Sequence, residues 1–145
     1  MKMLFNDGGR EAAGYKGVAG DCFTRAVAIA AELPYQEVYN TANEFGQRER
    51  MSKRRKSKSS ARTGVHGPTA RRIMESLKFG WTPTMGIGTG CQVHLKPDEL
   101  PSGRIVVSLS GHYAAVVDGV LHDTYDCSRE ETRCVYGYWT VKSPV

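Results

Sequence analysis

Between residues 21 and 33 the apolar positions recur at helical spacing. Cys22, Ala26, Ile29, Ala30 and Leu33 stand at i, i+4, i+7, i+8 and i+11, which predicts a helix with one buried face. Asp21, following Gly20, is placed to cap its start. Pro34 ends this helix and suits the first turn of another. There Tyr35, Val38, Tyr39, Ala42 and Phe45 form a second apolar stripe, ending at Gly46. A third helix is predicted over 68–78, opened by Pro68, with Ala70, Ile73, Met74 and Leu77 inside and Gly80 as its stop signal.

The period changes in the second half of the chain. From Arg104 onward Ile105, Val107 and Leu109 alternate with Val106, Ser108 and Ser110, the two-residue period of a strand. Further strands are predicted over 113–117, 120–125 and 135–141. An Asp118-Gly119 pair between two β-rich runs is a strong hairpin signal. Helices first and an antiparallel meander afterwards give an α+β class. With 145 residues, one domain spanning 1–145 is expected.

Charge alters this picture in one place. The net charge of +5 hides a segment, residues 48–62, with eight Lys/Arg and one acid, Glu49. That segment carries +7 and leaves the rest of the chain at −2. Residues 47–63 therefore read as a solvated, flexible insert with almost nothing to bury. Lys53, Arg54, Arg55, Lys56 and Lys58 could hold a nucleic-acid backbone or an acidic protein partner. No aromatic residue interrupts the run, which argues against base stacking. No apolar stretch reaches the ~18 residues of a membrane span, and the N-terminus lacks a signal-peptide core. A cytoplasmic protein is expected, with its four cysteines as thiols rather than disulfides. Oligomeric state is left open.

Cys22 at a helix start and His112 at a strand start are the residues that suggest chemistry. A helix N-terminus lowers a thiol pKa and offers free amides to an oxyanion. Asp21, its acidic neighbour, works the other way. If Asp118-Gly119 is a two-residue turn, paired residue numbers sum to 237, and His112, Ala114, Val116, Leu121, Asp123 and Tyr125 share one face. Asp123 then lies diagonal to His112. A longer turn would reverse the parity and favour Asp126. On pattern alone, a cysteine on an Ala-rich helix is more often a small buried hydrophobe than a nucleophile.

Gly20-Asp21-Cys22-Phe23-Thr24-Arg25-Ala26, followed downstream by Gly111-His112-Tyr113-Ala114-Ala115-Val116-Val117-Asp118-Gly119 and His122-Asp123-Thr124, resembles the papain-like cysteine peptidase superfamily. The layout is most similar to its compact bacterial branch, which includes the peptidases that remove double-glycine leaders, and to related proteins of bacteriophages and prophages. The resemblance implies a papain-like fold, host cytoplasm as the compartment, and a thiol hydrolase of peptide or isopeptide bonds without cofactor. It implies Cys22 as nucleophile, His112 as base and Asp123 as the group that orients it. The upstream amide that such enzymes use for the oxyanion is missing, since Lys16 stands six residues before Cys22. Asn6 is the candidate donor if the intervening loop folds back. The alternative is a catalytically degenerate domain that binds a host protein or nucleic acid through the insert.

Two other motifs carry less. Cys91, His94, Cys127 and Cys134 match no standard zinc spacing closely, so no metal is expected. Gly86, Gly88 and Gly90 lack the strand and helix of a nucleotide fingerprint and read as a flexible loop, one that could line the cleft.

Overall fold

The computed structural model describes residues 1–51 and 57–142 of the chain. It is an α+β fold of three helices and a mostly antiparallel six-stranded sheet. Its elements are β1 (Met3–Phe5), α1 (Cys22–Ala31), α2 (Tyr35–Gln47), α3 (Gly67–Ser76), β2 (Phe79–Pro83), β3 (Val93–His94), β4 (Arg104–Leu109), β5 (His112–Val117), β6 (Val120–Asp123), β7 (Cys134–Val135) and β8 (Gly137–Val141). The large sheet runs β1-β6-β5-β4-β8-β2, and β3 pairs with β7 in a separate ribbon.

The hairpin at Asp118-Gly119 has the register its turn dictates. Both residues are left-handed, at φ 47° and 79°, as a tight hairpin turn requires. Val117 pairs with Val120, Val116 with Leu121 and Ala115 with His122. The strand stops at Asp123 rather than at 125, because the Asp123 carboxylate takes the Thr124 amide at 2.7 Å. Two strands lie outside the expected meander. β1 joins β6 in parallel, and β2 covers β8, with Trp81 opposite Trp139.

α1 is buried nearly all round rather than along one stripe, with Phe23, Ala26, Val27, Ala28, Ile29 and Ala30 all enclosed. It packs on β5 and β4 with α2 on its other side. Glu32, left-handed at φ 55°, ends it by donating its amide to Ala28 and Ile29. The core on this face holds Phe23, Val27, Ile73, Met74, Phe79 and Trp139. A second core on the other face holds Leu95, Ile105, Val107, Leu121, Cys127 and Val135. The sheet is thus covered on both sides, which is why Ile105, Val106 and Val107 are buried in succession.

The insert departs from expectation at its base. Glu49, Ser59 and Ala61 are buried. The Glu49 carboxylate accepts from the Ser59 amide at 2.6 Å and from the Ser59 and Thr69 hydroxyls. A Cβ on Gly46 would lie 2.0 Å from the Ser59 carbonyl oxygen, so only glycine lets α2 pass this close. Lys58, exposed, donates to the Gln47 carbonyl at 2.9 Å. Lys53, Arg54, Arg55 and Lys56 lie outside the described residues. Among the described residues, no helix is long and apolar enough to cross a membrane.

Candidate active site

Cys22, at the start of α1, and His112, at the start of β5, line one cleft. Leu109 and His112 flank a two-residue turn, so the amides of residues 113, 115 and 117 point away from β4, toward β6. Ala115 and Val117 have partners there; the register ends before Tyr113. The Tyr113 amide acts on the Cys22 sulfur instead, as does the His112 ring. Cys22 is the first residue of α1, and Asp21 in front of it makes no side-chain cap. Capless first-turn amides and the helix dipole both favour negative charge there.

On the far side of the imidazole, His112 Nε2 lies 2.7 Å from Asp123 Oδ2. The carboxylate also lies 3.4 Å from the Arg25 guanidinium. Arg25 ion-pairs with Asp21, four residues earlier on the same helix. Asp21 accepts from the Tyr35 hydroxyl at 2.6 Å and lies 3.6 Å from Arg10. A buried chain of charges therefore runs from Arg10 through Asp21, Arg25 and Asp123 to His112. This corrects two expectations about Asp21. Its side chain does not cap the helix, and its charge is matched by arginines rather than opposed to the thiol.

Burial pushes the Cys22 thiol up, but His112, the Tyr113 amide and the Arg25 charge outweigh it, so the pKa falls below its ordinary 9.0. Burial opposes charge on His112 in turn. Hydrogen bonds to Asp123, Cys127 and Cys22 prevail and raise it from 6.5 to about 11. Burial raises Asp123, while the bonds from His112 and the Thr124 amide bring it down overall. The two shifts favour a thiolate beside an imidazolium, a pair able to attack a polarised carbonyl and return a proton to the leaving group.

A cleft of about 390 Å³ opens over the pair, lined among others by Gly20, Cys22, Thr63, Gly64, His112 and Tyr113. One wall is thus the returning end of the insert, whose Thr63 carbonyl would lie 3.2 Å from a Cβ on Gly20. A neighbouring cavity of about 440 Å³, with Trp81, Trp139 and Arg71, shares Ser108 and Tyr113 with it.

Several expected residues stand elsewhere. The Asn6 amide is 3.1 Å from His122 Nδ1 and its oxygen accepts from Gly8; it does not line the cleft. The loop did not fold back because Asn6 continues β1, its own amide bound to the Asp123 carbonyl. Asp126 accepts from the Ser128 amide and hydroxyl. Gly86, Gly88 and Gly90 do not line the cleft either; their turn is tied by Thr89. Cys91 and Cys134 form a disulfide, leaving Cys22 and Cys127 as free thiols. Four free thiols were expected, but β3 and β7 pair His94 with Cys134 and bring the Cα atoms of Cys91 and Cys134 to 5.8 Å.

Three participants went unnoticed in the sequence: Arg25, the Tyr113 amide and Cys127. Arg25 had a visible signal, the Asp21/Arg25 spacing of an i,i+4 ion pair. Cys127 had none, since it follows β6 in irregular chain. Its sulfur, His112 and Asp123 all lie within 4.8 Å of one another, and these three could hold a metal ion. No protein-family model, no curated protein and no solved structure matches the chain.

Proposed function

We propose that the protein is a papain-like thiol hydrolase of peptide or isopeptide bonds, in which Cys22 attacks, His112 carries the proton and Asp123 orients the imidazole. The observation that carries this reading is the Cys22–His112–Asp123 arrangement beneath an open cleft. Burial alone would make a thiol less acidic and an imidazole less basic, yet here the thiol is lowered and the imidazole raised. That inversion is what a cysteine nucleophile requires. In this reading the carbonyl enters above Cys22, and the capless amides of α1 receive the developing oxyanion. Asn6 has no part in it. The papain-like layout and the phage or prophage origin rest on the motifs around Cys22 and His112.

Alkylation of the non-reduced protein by iodoacetamide near neutral pH tests the pairing. Cys22 should react selectively, and the selectivity should disappear in His112→Ala. Equal, slow reaction of Cys22 and Cys127 would overturn the reading. The second reading, a binding domain that uses the basic insert, is favoured by the concentration of +7 in fifteen residues. A salt-dependent shift of labelled nucleic acid, lost on changing Lys53, Arg54, Arg55, Lys56 and Lys58 together to Gln, with an unreactive Cys22, would put it first.

A further inference from the structure

We propose that His112, Asp123 and Cys127 form a binding site for a divalent cation of the zinc class, placed behind the imidazole on the side away from Cys22. The three offer one nitrogen, one oxygen and one sulfur, all within 4.8 Å of one another. That mixture suits zinc, whereas calcium and magnesium favour oxygen alone. Cys22 is not one of the three.

Geometry and burial both favour such an ion. Zinc bonds of ~2.0–2.3 Å set tetrahedral ligand atoms about 3.3–3.7 Å apart. The 2.7 Å between His112 Nε2 and Asp123 Oδ2 must open by about 0.7 Å to reach that range, and a separation at the 4.8 Å limit must close by about 1.1 Å. The residues are 8%, 3% and 1% exposed, so the ligands are enclosed rather than on surface chain, and Cys127 is itself part of the second core. Arg25 on Asp123 and the Thr124 amide on the same carboxylate supply the outer contacts that orient a ligand. The half-exposed Tyr125 ring, 5.4 Å from the imidazole, is the neighbour that must yield to admit it.

The spacing of cysteines pointed away from this site, because it invited grouping Cys127 with Cys91, His94 and Cys134. The disulfide takes two of those out, and His94 pairs with Glu99. Occupancy would take the ring nitrogen and the carboxylate oxygen that hold each other in the free site. The ion would thus be a reversible inhibitor of the proposed hydrolase, and this consequence, unlike the site itself, rests on that reading.

The experiment uses the full chain with its disulfide intact. Zn²⁺ binding is measured by equilibrium dialysis, and Co²⁺ is added to read thiolate-to-metal charge transfer and tetrahedral d–d intensity. One ion per chain is expected, with a thiolate band that persists in Cys22→Ser. Cys127→Ser should abolish the band and weaken binding at least ~10-fold, with Cys127→Ala behaving alike and far-UV circular dichroism unchanged in both. His94→Ala should leave binding unaltered. Absence of a stoichiometric ion, a band that survives Cys127→Ser, or one lost in Cys22→Ser would each overturn the site. Alkylation of Cys22 in chelator-treated protein is scored separately. Selective labelling without ion binding sinks only the site, and ion binding without selective labelling sinks only the hydrolase.

Discussion

His112 Nε2 and Asp123 Oδ2 lie 2.7 Å apart across the end of the β5–β6 hairpin, and the two-residue turn at Asp118-Gly119 puts them on one face. A turn one residue longer would have sent Asp123 to the other side of the sheet. Asp123→Asn keeps the shape but removes the charge that holds the imidazolium. The His112 titration midpoint, followed by NMR, should fall from about 11 toward the ordinary 6.5. Cys22 alkylation at neutral pH should slow by roughly tenfold or more. An unchanged midpoint would mean that the carboxylate does not act on the ring.

The two free thiols are displaced in opposite directions and should gain reactivity at different pH. Cys22 is lowered and Cys127, by burial first and then by the Asp123 charge, is raised. Alkylation followed by mass spectrometry from pH 5 to 10 should show Cys22 reacting at lower pH than an ordinary thiol and Cys127 lagging throughout. The same groups set the pH range of stability. His112, raised in the fold, stabilises fully below about 6.5, and this is lost as pH climbs through about 11. Asp123, lowered in the fold, stabilises above 3.8 and loses this as pH falls further. The midpoint of thermal unfolding should therefore be highest between about pH 3.8 and 6.5, where both contributions are fully present.

The parts of the fold that periodicity could reach are those with enough residues to show a period. The three helices and the strands of the hairpin, with its 237 register, were legible because each repeats its pattern several times. β1 has three residues and β3 and β7 have two each, too short for alternation to stand out. The second core was hidden for a related reason. Ile105, Val106 and Val107 form a continuous apolar run that reads as one strand face only when half the sheet is solvated. In the site, Cys22 and His112 were visible as residue types at element starts. Cys127 was not, because nothing in an irregular segment fixes where a side chain points. The Cys91–Cys134 bond depended on a two-residue ribbon that no local signal announced.

Arg25 joins the helix that carries Cys22 to the strand that ends at Asp123. Its side chain is 12% exposed, against 1% for Asp21 and 3% for Asp123, so its removal breaks the one link between the Arg10–Asp21 and His112–Asp123 pairs within this buried chain. Arg25→Ala should destabilise the fold by about 3 kcal/mol, as breaking a buried pair does. Arg25→Lys should recover part of this, and chemical denaturation measures both. If Arg25→Ala left the midpoint unmoved, the chain of charges would not be holding α1 to the sheet.

Thiol counting checks the ribbon directly. With Cys91 and Cys134 joined and Cys22 and Cys127 free, the unfolded, non-reduced chain should yield two reactive thiols, rising to four after reduction. The bond spans 43 residues of sequence, and cross-links of this length stabilise by about 3–4 kcal/mol through the unfolded chain. Cys91→Ser with Cys134→Ser should lower the midpoint of unfolding accordingly. It should leave the hydrogen bond between His112 and Asp123 in place, since neither cysteine touches that pair. A loss of selective Cys22 alkylation in the double variant, with the fold retained, would show instead that the ribbon supports the site through the second core it shares with Cys127.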